Sequence, residues 1–148
     1  MELRRYAEPD RALTAALESD PRVMAHLGGP GDDADELHEE RLAGDLYFTI
    51  VLDEPVGVIA AWRSDQDVYE LGVLIKPEHQ ARGLAEQAIG LLLPHLRERG
   101  IDKLHAFITV TNKPSHAVAE RVGFRRAGER DLDYRGHPLR CVHWILDV

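Results

Sequence analysis

The chain has 148 residues, of which 44% are hydrophobic, and this is enough material for one domain with a buried core. Its 26 acidic residues outnumber its 18 basic residues, and the resulting formal net charge of −8 argues against nucleic acid as a partner. No apolar run approaches the ~18 residues that a membrane-spanning helix needs, and residues 1–6 lack the apolar stretch of a signal peptide. We therefore expect a cytoplasmic protein, monomeric or homodimeric, with neither nucleic acid nor membrane as a partner.

The first third of the chain predicts helices separated by short breaks. Residues 9–18 form a candidate helix, and Asp20 followed by Pro21 is typical of the N-cap and first turn of a second, short helix. A third helix is predicted for residues 32–43, because its carboxylates gather at the N-terminal end, where the helix dipole favours them. This helix should end at Gly44.

The middle of the chain predicts β-strands. Residues 46–52 and 56–62 are rich in β-branched and aromatic side chains and are joined by a turn containing Pro55. Residues 68–75 form a third apolar run. Because the connections are short, these three strands are expected to form an antiparallel meander.

The last part of the chain returns to an alternation of helix and strand. Residues 84–99 show apolar positions at helical spacing, and Pro94 is expected to bend this helix near Gly90. A strand at 105–110, a short helix and two final strands follow, with the turn between the last pair at 134–138.

This order of elements predicts the fold class. Antiparallel strands followed by a strand-helix-strand unit give an α/β (α+β) fold with a mixed, mostly antiparallel sheet and helices on both faces. With no repeat, linker or low-complexity tract, residues 1–148 are expected to form a single domain.

A polar turn between the strand at 68–75 and the long helix is the strongest functional signal. Gly83 directly precedes the helix, whose first-turn N–H groups have no partners within the helix and attract phosphate. Gly83 and Ala85 are small where a ligand must approach the main chain, and Gln80 and Arg82 add side-chain donors. An ordinary loop before a helix is the alternative, because short turns with one glycine are common.

A second motif lies about thirty residues further on. After the strand at 105–110 the chain has Asn112 and Ser115, then a short helical stretch that ends at Gly123 and Phe124. Together the two motifs resemble the GNAT superfamily of acyl-CoA-dependent N-acetyltransferases. The form of the second motif is most similar to the ribosomal-protein N-acetyltransferase, or RimJ/RimL-like, branch.

The resemblance implies a cofactor and the residues that bind it. Acetyl-CoA would be the co-substrate, and its pantetheine arm would enter a gap where the fourth and fifth strands of the family splay apart. The arm would pair with the main chain of Val73, Leu74 and Ile75, while Asn112 would contact it through its side chain. The pyrophosphate would lie on the turn and the first helical residues, namely Gln80, Ala81, Arg82, Gly83, Leu84, Ala85 and Glu86.

The resemblance also implies catalytic residues. An alkylammonium is protonated at neutral pH, so a group at the site must accept its proton, and Glu70 is the candidate base. The backbone N–H of Leu74 would polarise the thioester carbonyl. Many family members carry a tyrosine where this chain has Ala119, so Ser115 becomes the candidate donor to the leaving thiolate. Ser115 can alternatively cap the helix, and Glu70 can alternatively be a glutamate at the rim of a strand.

The sequence leaves the acceptor open. Six acidic residues precede the first strand of the meander and can attract a cationic amine, although they can equally form a solvated helix face. They are Asp32, Asp33, Asp35, Glu36, Glu39 and Glu40. A protein N-terminus and a small cationic amine remain alternatives, and a non-catalytic acyl-CoA-binding module is a further alternative, favoured by Ala119.

Cysteine and histidine do not predict a metal site. Cys141 is the single cysteine, so it cannot form an internal disulfide, and packing is its expected role. His137, Cys141 and His143 lie close in sequence, but a zinc site usually needs four ligands and no second pair accompanies them. We expect no metal.

Overall fold

The computed structural model describes residues 1–29, 34–134 and 136–148. Its centre is a seven-stranded sheet with the order β1-β2-β3-β4-β5-β7-β6, in which only the β4–β5 pair is parallel. The strands are β1 (Glu2–Arg5), β2 (Tyr47–Val51), β3 (Pro55–Arg63), β4 (Tyr69–Ile75), β5 (Lys103–Thr109), β6 (Arg125–Tyr134) and β7 (His137–Asp147). The predicted mixed, mostly antiparallel sheet is confirmed.

The helices also agree with the predicted order. They are α1 (Arg11–Ser19), α2 (Pro21–Met24), α3 (Ala34–Ala43), α4 (Leu84–Glu98) and α5 (Lys113–Val122), with short 3-10 turns at Glu8–Asp10 and Pro77–His79. Asp20 caps α2 as predicted, because its carboxylate accepts the backbone N–H of Arg22 at 2.8 Å. The predicted start of α3 at Asp32 lies outside the described residues.

Helices cover both faces of the sheet. On one face α4 and α5 pack on alternate residues of the strands, and α4 contributes Leu92 and Leu96, neither of which is exposed to solvent. Each such leucine contributes about 1.5–3 kcal/mol through burial. On the other face Leu17 of α1 packs near Val58 of β3, together with partly buried residues of α2 and α3.

A polar cluster fixes the helices of this second face to the sheet. His38 of α3 is fully buried, with Nδ1 at 2.5 Å from the Tyr6 hydroxyl and Nε2 at 3.0 Å from a Glu8 carboxylate oxygen. The Tyr6 hydroxyl is also 3.0 Å from Thr14 Oγ1, while Thr49 donates to Asp10 at 2.9 Å. We call these residues, Tyr6, Glu8, Asp10, Thr14, His38 and Thr49, the N-terminal polar cluster.

Strand β1 was not predicted from the sequence. This strand pairs antiparallel with β2, and only Leu3 of its four residues packs against the core. Three of its four residues are charged, which hides the alternation of polar and apolar side chains that predicts a strand. The strand therefore forms through its pairing with β2 rather than through its own sequence pattern.

The β4–β5 pair opens at the position that the resemblance implied. The two strands are paired at a single register position, Glu70 with His105, whereas β4 remains paired with β3 along its full length. The main chain of β4 beyond Glu70 therefore faces a gap rather than β5. Among the described residues, no helix is both long and apolar enough to cross a membrane.

Candidate functional site

The turn before α4 has the geometry of an anion-binding site. Ala81 and Gly83 both have left-handed backbone conformations, with φ of 61° and 74°, and Gly83 is the N-cap of α4. Within residues 1–29, 34–134 and 136–148 no side-chain capping hydrogen bond is present at this helix start, so the N–H groups of its first turn are left without the partner that a cap would supply. A Cβ added at Gly83 would meet no heavy atom within 4 Å, so the space in front of this helix end is open.

Two of the predicted cofactor-binding residues use their side chains for contacts within the protein. The Gln80 carboxamide donates to the Ile75 carbonyl at 2.9 Å, which fixes the turn to the end of β4. Glu86 forms an ion pair of 2.6 Å with Arg121 of α5. Glu86 therefore offers a phosphate its backbone N–H rather than its side chain. The Arg82 side chain is exposed, with Nη1 at 3.5 Å from His79 Nδ1.

The end of β4 leads directly to this turn. Val73 and Ile75 pack into the cluster under α4, while Leu74 packs on the opposite face of the sheet. With these side chains committed to the two cores, the main chain of β4 on the β5 side is what an extended ligand arm would meet. This is the arrangement needed for a strand-like addition of the arm.

Glu70 lies where the gap between β4 and β5 begins. It faces Trp62 on β3 and His105 on β5 in the strand registers. Burial raises the pKa of the Glu70 carboxyl, the Asp65 charge adds to this, and a hydrogen bond with Ser64 opposes it. A carboxylate whose pKa is raised toward neutrality is a better proton acceptor for an ammonium than an ordinary surface glutamate.

Asn112 and Ser115 begin α5 on the other side of the gap. The Asn112 side chain accepts the backbone N–H of Ser115 at 3.3 Å, so Asn112, and not the Ser115 hydroxyl, caps the helix. The capping alternative for Ser115 is therefore wrong. Ala119, at the position of the missing tyrosine, is buried in the core.

A row of rings beside Glu70 was not predicted from the sequence. His105 Nδ1 is 2.7 Å from His143 Nε2, and the two rings stack at 5.0 Å between centroids. His143 also stacks on Phe107 at 4.5 Å. We call His105, Phe107 and His143 the histidine row. His105 and Phe107 are two residues apart, so the sequence could show that they share a face of β5. It did not show that β7, which carries His143, is the neighbour of β5.

The environment of the histidine row disfavours positive charge. Burial lowers the pKa of both His105 and His143, and the neighbouring cations Arg125 and Arg130 lower it further. Both rings are therefore neutral near pH 7. The histidine row lies on the same face of the sheet as Glu70, so neutral rings flank the candidate base.

The structure describes Cys141 and part of the acidic segment. Cys141 is buried, and burial raises its thiol pKa, which agrees with a packing role. Within the described part of the chain, no group of three or more His, Cys, Asp or Glu residues could hold a metal ion. Glu39 and Glu40 are exposed on α3. Asp32 and Asp33, and the side chains of Asp35 and Glu36, lie outside the described residues.

Solved structures share this fold over nearly the whole chain. The ribosomal-protein-alanine N-acetyltransferase from Brucella melitensis superposes with a TM-score of 0.82 at 19% identity and covers 100% of both chains. The spermidine N-acetyltransferase from Vibrio cholerae, in complex with CoA and spermine, superposes with a TM-score of 0.80 at 18% identity and covers 99% of this chain and 94% of that one. At these identities the likeness concerns the fold alone.

Sequence comparison identifies the family. A mycothiol acetyltransferase from Clavibacter sepedonicus is 38% identical over 69 residues, which are 47% of this chain and 22% of that protein. The chain thus matches less than a quarter of the length of this relative. The family model for the acetyltransferase (GNAT) domain matches residues 1–125. The chain belongs to the GNAT acetyltransferase domain family.

Proposed function

We propose that this protein transfers an acetyl group from acetyl-CoA to a primary amine by direct transfer in a ternary complex. One observation carries the proposal: the gap between β4 and β5 opens at a partly buried glutamate with a raised pKa and leads to an open, uncapped helix end. A base and an anion-binding turn are thus joined by unpaired main chain. An acyl carrier with a long arm and a pyrophosphate needs this combination.

The cofactor fits the residues that are present. The open space at Gly83 and the free first-turn N–H groups of α4 would hold the pyrophosphate, and the main chain of Val73, Leu74 and Ile75 would hold the arm. Asn112 keeps its amide hydrogens available while its oxygen caps α5. When bound, acetyl-CoA supplies a thioester carbonyl as the electrophile.

The residues of the chain then have distinct tasks. Glu70 accepts a proton from the ammonium, directly or through one water, so that the nitrogen lone pair becomes available. The backbone N–H of Leu74 donates to the carbonyl oxygen on which negative charge develops. Ser115, whose hydroxyl is not used in capping, donates a hydrogen bond to the leaving sulfur.

The acceptor has two candidate classes. A protein N-terminus would agree with the RimJ/RimL-like form of the motif at Asn112, and the Brucella neighbour carries the name of an enzyme of that kind. A small amine would agree with the Vibrio neighbour, whose structure contains spermine. Ala119 supports a non-catalytic acyl-CoA-binding module as the second candidate function, because no tyrosine can act from that position.

A calorimetric titration with acetyl-CoA, followed by measurement of free-thiol release with a panel of amines and N-terminal peptides, tests the proposal. We expect micromolar binding and acceptor-dependent thiol release. Binding without release for every acceptor would favour the non-catalytic module, and the absence of binding would contradict the proposal as a whole.

The variant Gly83→Asp tests the binding turn itself. A carboxylate at the open helix end would repel the pyrophosphate, so we expect acetyl-CoA affinity to fall at least about 100-fold. Gly100→Asp is a matched control, because Gly100 lies beyond the other end of α4 with φ of 70° and equally open space. If both variants bound acetyl-CoA as the wild type does, the turn would not be the pyrophosphate site.

A further inference from the structure

Arg130 extends across the sheet face that carries Glu70. It belongs to β6, yet its guanidinium carbon lies 5.3 Å from the centre of the Phe107 ring on β5. Its Nη1 donates to the Gln66 side-chain oxygen at 2.7 Å, between residues 64 positions apart in the sequence. The side chain therefore reaches over β7 and β5 to the turn between β3 and β4.

The same turn contacts the candidate base. Ser64 forms a side-chain hydrogen bond with Glu70, and Gln66, two residues further on, holds Arg130. Glu70 pairs with His105 on the neighbouring strand β5, and Phe107 lies two residues further along β5, so the Arg130 guanidinium over Phe107 is on the order of 10 Å from the Glu70 carboxyl. The histidine row forms the sheet surface between them.

Arg130 differs from the other arginines of β6 and β7. Arg126 pairs with Glu129, Arg125 with Asp147, and Arg140 with both Glu129 and Asp131. In the described part of the chain Arg130 has no carboxylate partner, only a neutral amide and a ring face. These two contacts hold the planar guanidinium in position, and its other N–H groups remain free for another acceptor.

A fixed cation near an amine-activating base favours one kind of acceptor. Arg130 also helps to lower the pKa values of His105 and His143, so its positive charge acts on the histidine row beside Glu70. An acceptor with a second cationic group near its amine would be repelled there, whereas a carboxylate would form a charge-assisted, two-point hydrogen bond with the guanidinium.

We infer that Arg130 determines specificity by binding a carboxylate on the acceptor, so that the substrates are small amines with a carboxylate a few bonds from the amino group. This inference rests on the proposed function. Glu70 receives the proton of the amino group while Arg130 and the Phe107 face orient the other end. Gln66 is a positioning residue for Arg130.

The test compares acceptors that differ only in the carboxylate. Thiol release is measured with alanine, β-alanine and γ-aminobutyrate, with the amide of each, and with spermidine. For the wild type we expect kcat/KM to be at least about 10-fold higher for the acids than for their amides, since hydrogen bonds to charged groups contribute about this much. Arg130→Gln should abolish this preference, because kcat/KM for the acids should fall to that for their amides.

Two further variants separate a specific contact from loss of charge or structure. Arg130→Lys keeps the charge but loses the fork and should recover the preference only in part. Arg126→Gln, on the same strand but paired with Glu129, should keep the preference. An unchanged acid-to-amide ratio in Arg130→Gln, or a wild-type preference for amides or spermidine, would overturn the inference and leave the transferase function standing.

A binding measurement distinguishes failure of this inference from failure of the proposed function. Calorimetric titration of CoA-saturated protein with the same acids and amides needs no turnover. Preferential binding of the acids, lost in Arg130→Gln, would support the role of Arg130 even without thiol release, which would contradict only the transferase. Equal binding of acids and amides to the wild type would overturn the inference.

Discussion

On the side of the sheet that carries Glu70, histidines lie in two regions of different character, one in a helix and one on the strands. In the N-terminal polar cluster, His38 is fully buried, and both of its ring nitrogens lie within hydrogen-bond distance of side chains from the N-terminal segment. In the histidine row, His105 and His143 bond to each other and lie beside Glu70, where the sheet opens.

The contrast separates polar groups that hold the fold from polar groups that are available for chemistry. The N-terminal polar cluster joins α1, α3, β2 and the segment that follows β1 through hydrogen bonds between its own members. Glu70 and His105 instead lie where the gap between β4 and β5 begins, and burial shifts the pKa values of Glu70, His105 and His143. Substitutions should therefore affect stability in the first region and activity or pH response in the second.

Glu70→Gln should have the largest effect on activity. Without a base, kcat should fall by about 100-fold or more at pH 7, while acetyl-CoA affinity is retained. Because its pKa is raised from 4.5, ionised Glu70 costs stability as the pH rises through that pKa, so the variant should melt no lower than the wild type at pH 7. Thiol release, calorimetry and thermal melts check this.

Retained turnover in Glu70→Gln would contradict the role of Glu70 as base. The acid limb of the kcat/KM profile gives a second readout. It should lie above the ordinary pH range of a glutamate in the wild type and disappear in the variant.

His38→Ala should have the largest effect on stability. It removes a buried ring and leaves the Tyr6 hydroxyl without one of its partners, and we expect the free energy of unfolding to fall by about 3 kcal/mol. The same change at half-buried His143 should cost about 1 kcal/mol or less, because removal of this partly buried ring would open the nitrogen of buried His105 to water. Denaturant unfolding of both variants measures the difference. Equal losses would remove the distinction between the two regions.

The pH dependence of stability should reveal the histidine row. Its two pKa values are lowered from 6.5 in the folded state, so the unfolded chain binds more protons and stability is lost as the pH falls below about 6.5. The double variant His105→Gln, His143→Gln should show a shallower loss of melting temperature between pH 7 and pH 5, by a few degrees. A slope identical to that of the wild type would show that these rings titrate normally.

Much of the fold was predictable because its signals are local. The apolar spacing of α4 and the Asp20-Pro21 cap of α2 gave helices with nearly the observed limits. Strand β1 was missed because its charged residues hide the alternation. The capping role at α5 went to Asn112 rather than Ser115, since the choice depends on which side chain reaches the free N–H.

The residues of the candidate site also divide into those that local sequence signals or the family resemblance predicted and those that were not predicted. The turn around Gly83 was predictable because a glycine before an amphipathic helix is a local pattern, and Glu70 was proposed through the family resemblance. Arg130, Gln66 and the histidine row were not found. Their residues come from the β3–β4 turn and from β5, β6 and β7, and nothing in their separate sequence contexts indicates that they meet.

The sequence by itself predicted the order of elements from α1 onward, the turn before α4 and the family, because each depends on neighbouring residues and on the periodicity of apolar side chains. Only the tertiary structure decided which polar side chains share a surface. Strand order places β7 between β5 and β6, and this brings His105 to His143 and Arg130 over Phe107. Charge and burial at the site follow from contacts between distant residues, and such contacts exist only after the chain has folded.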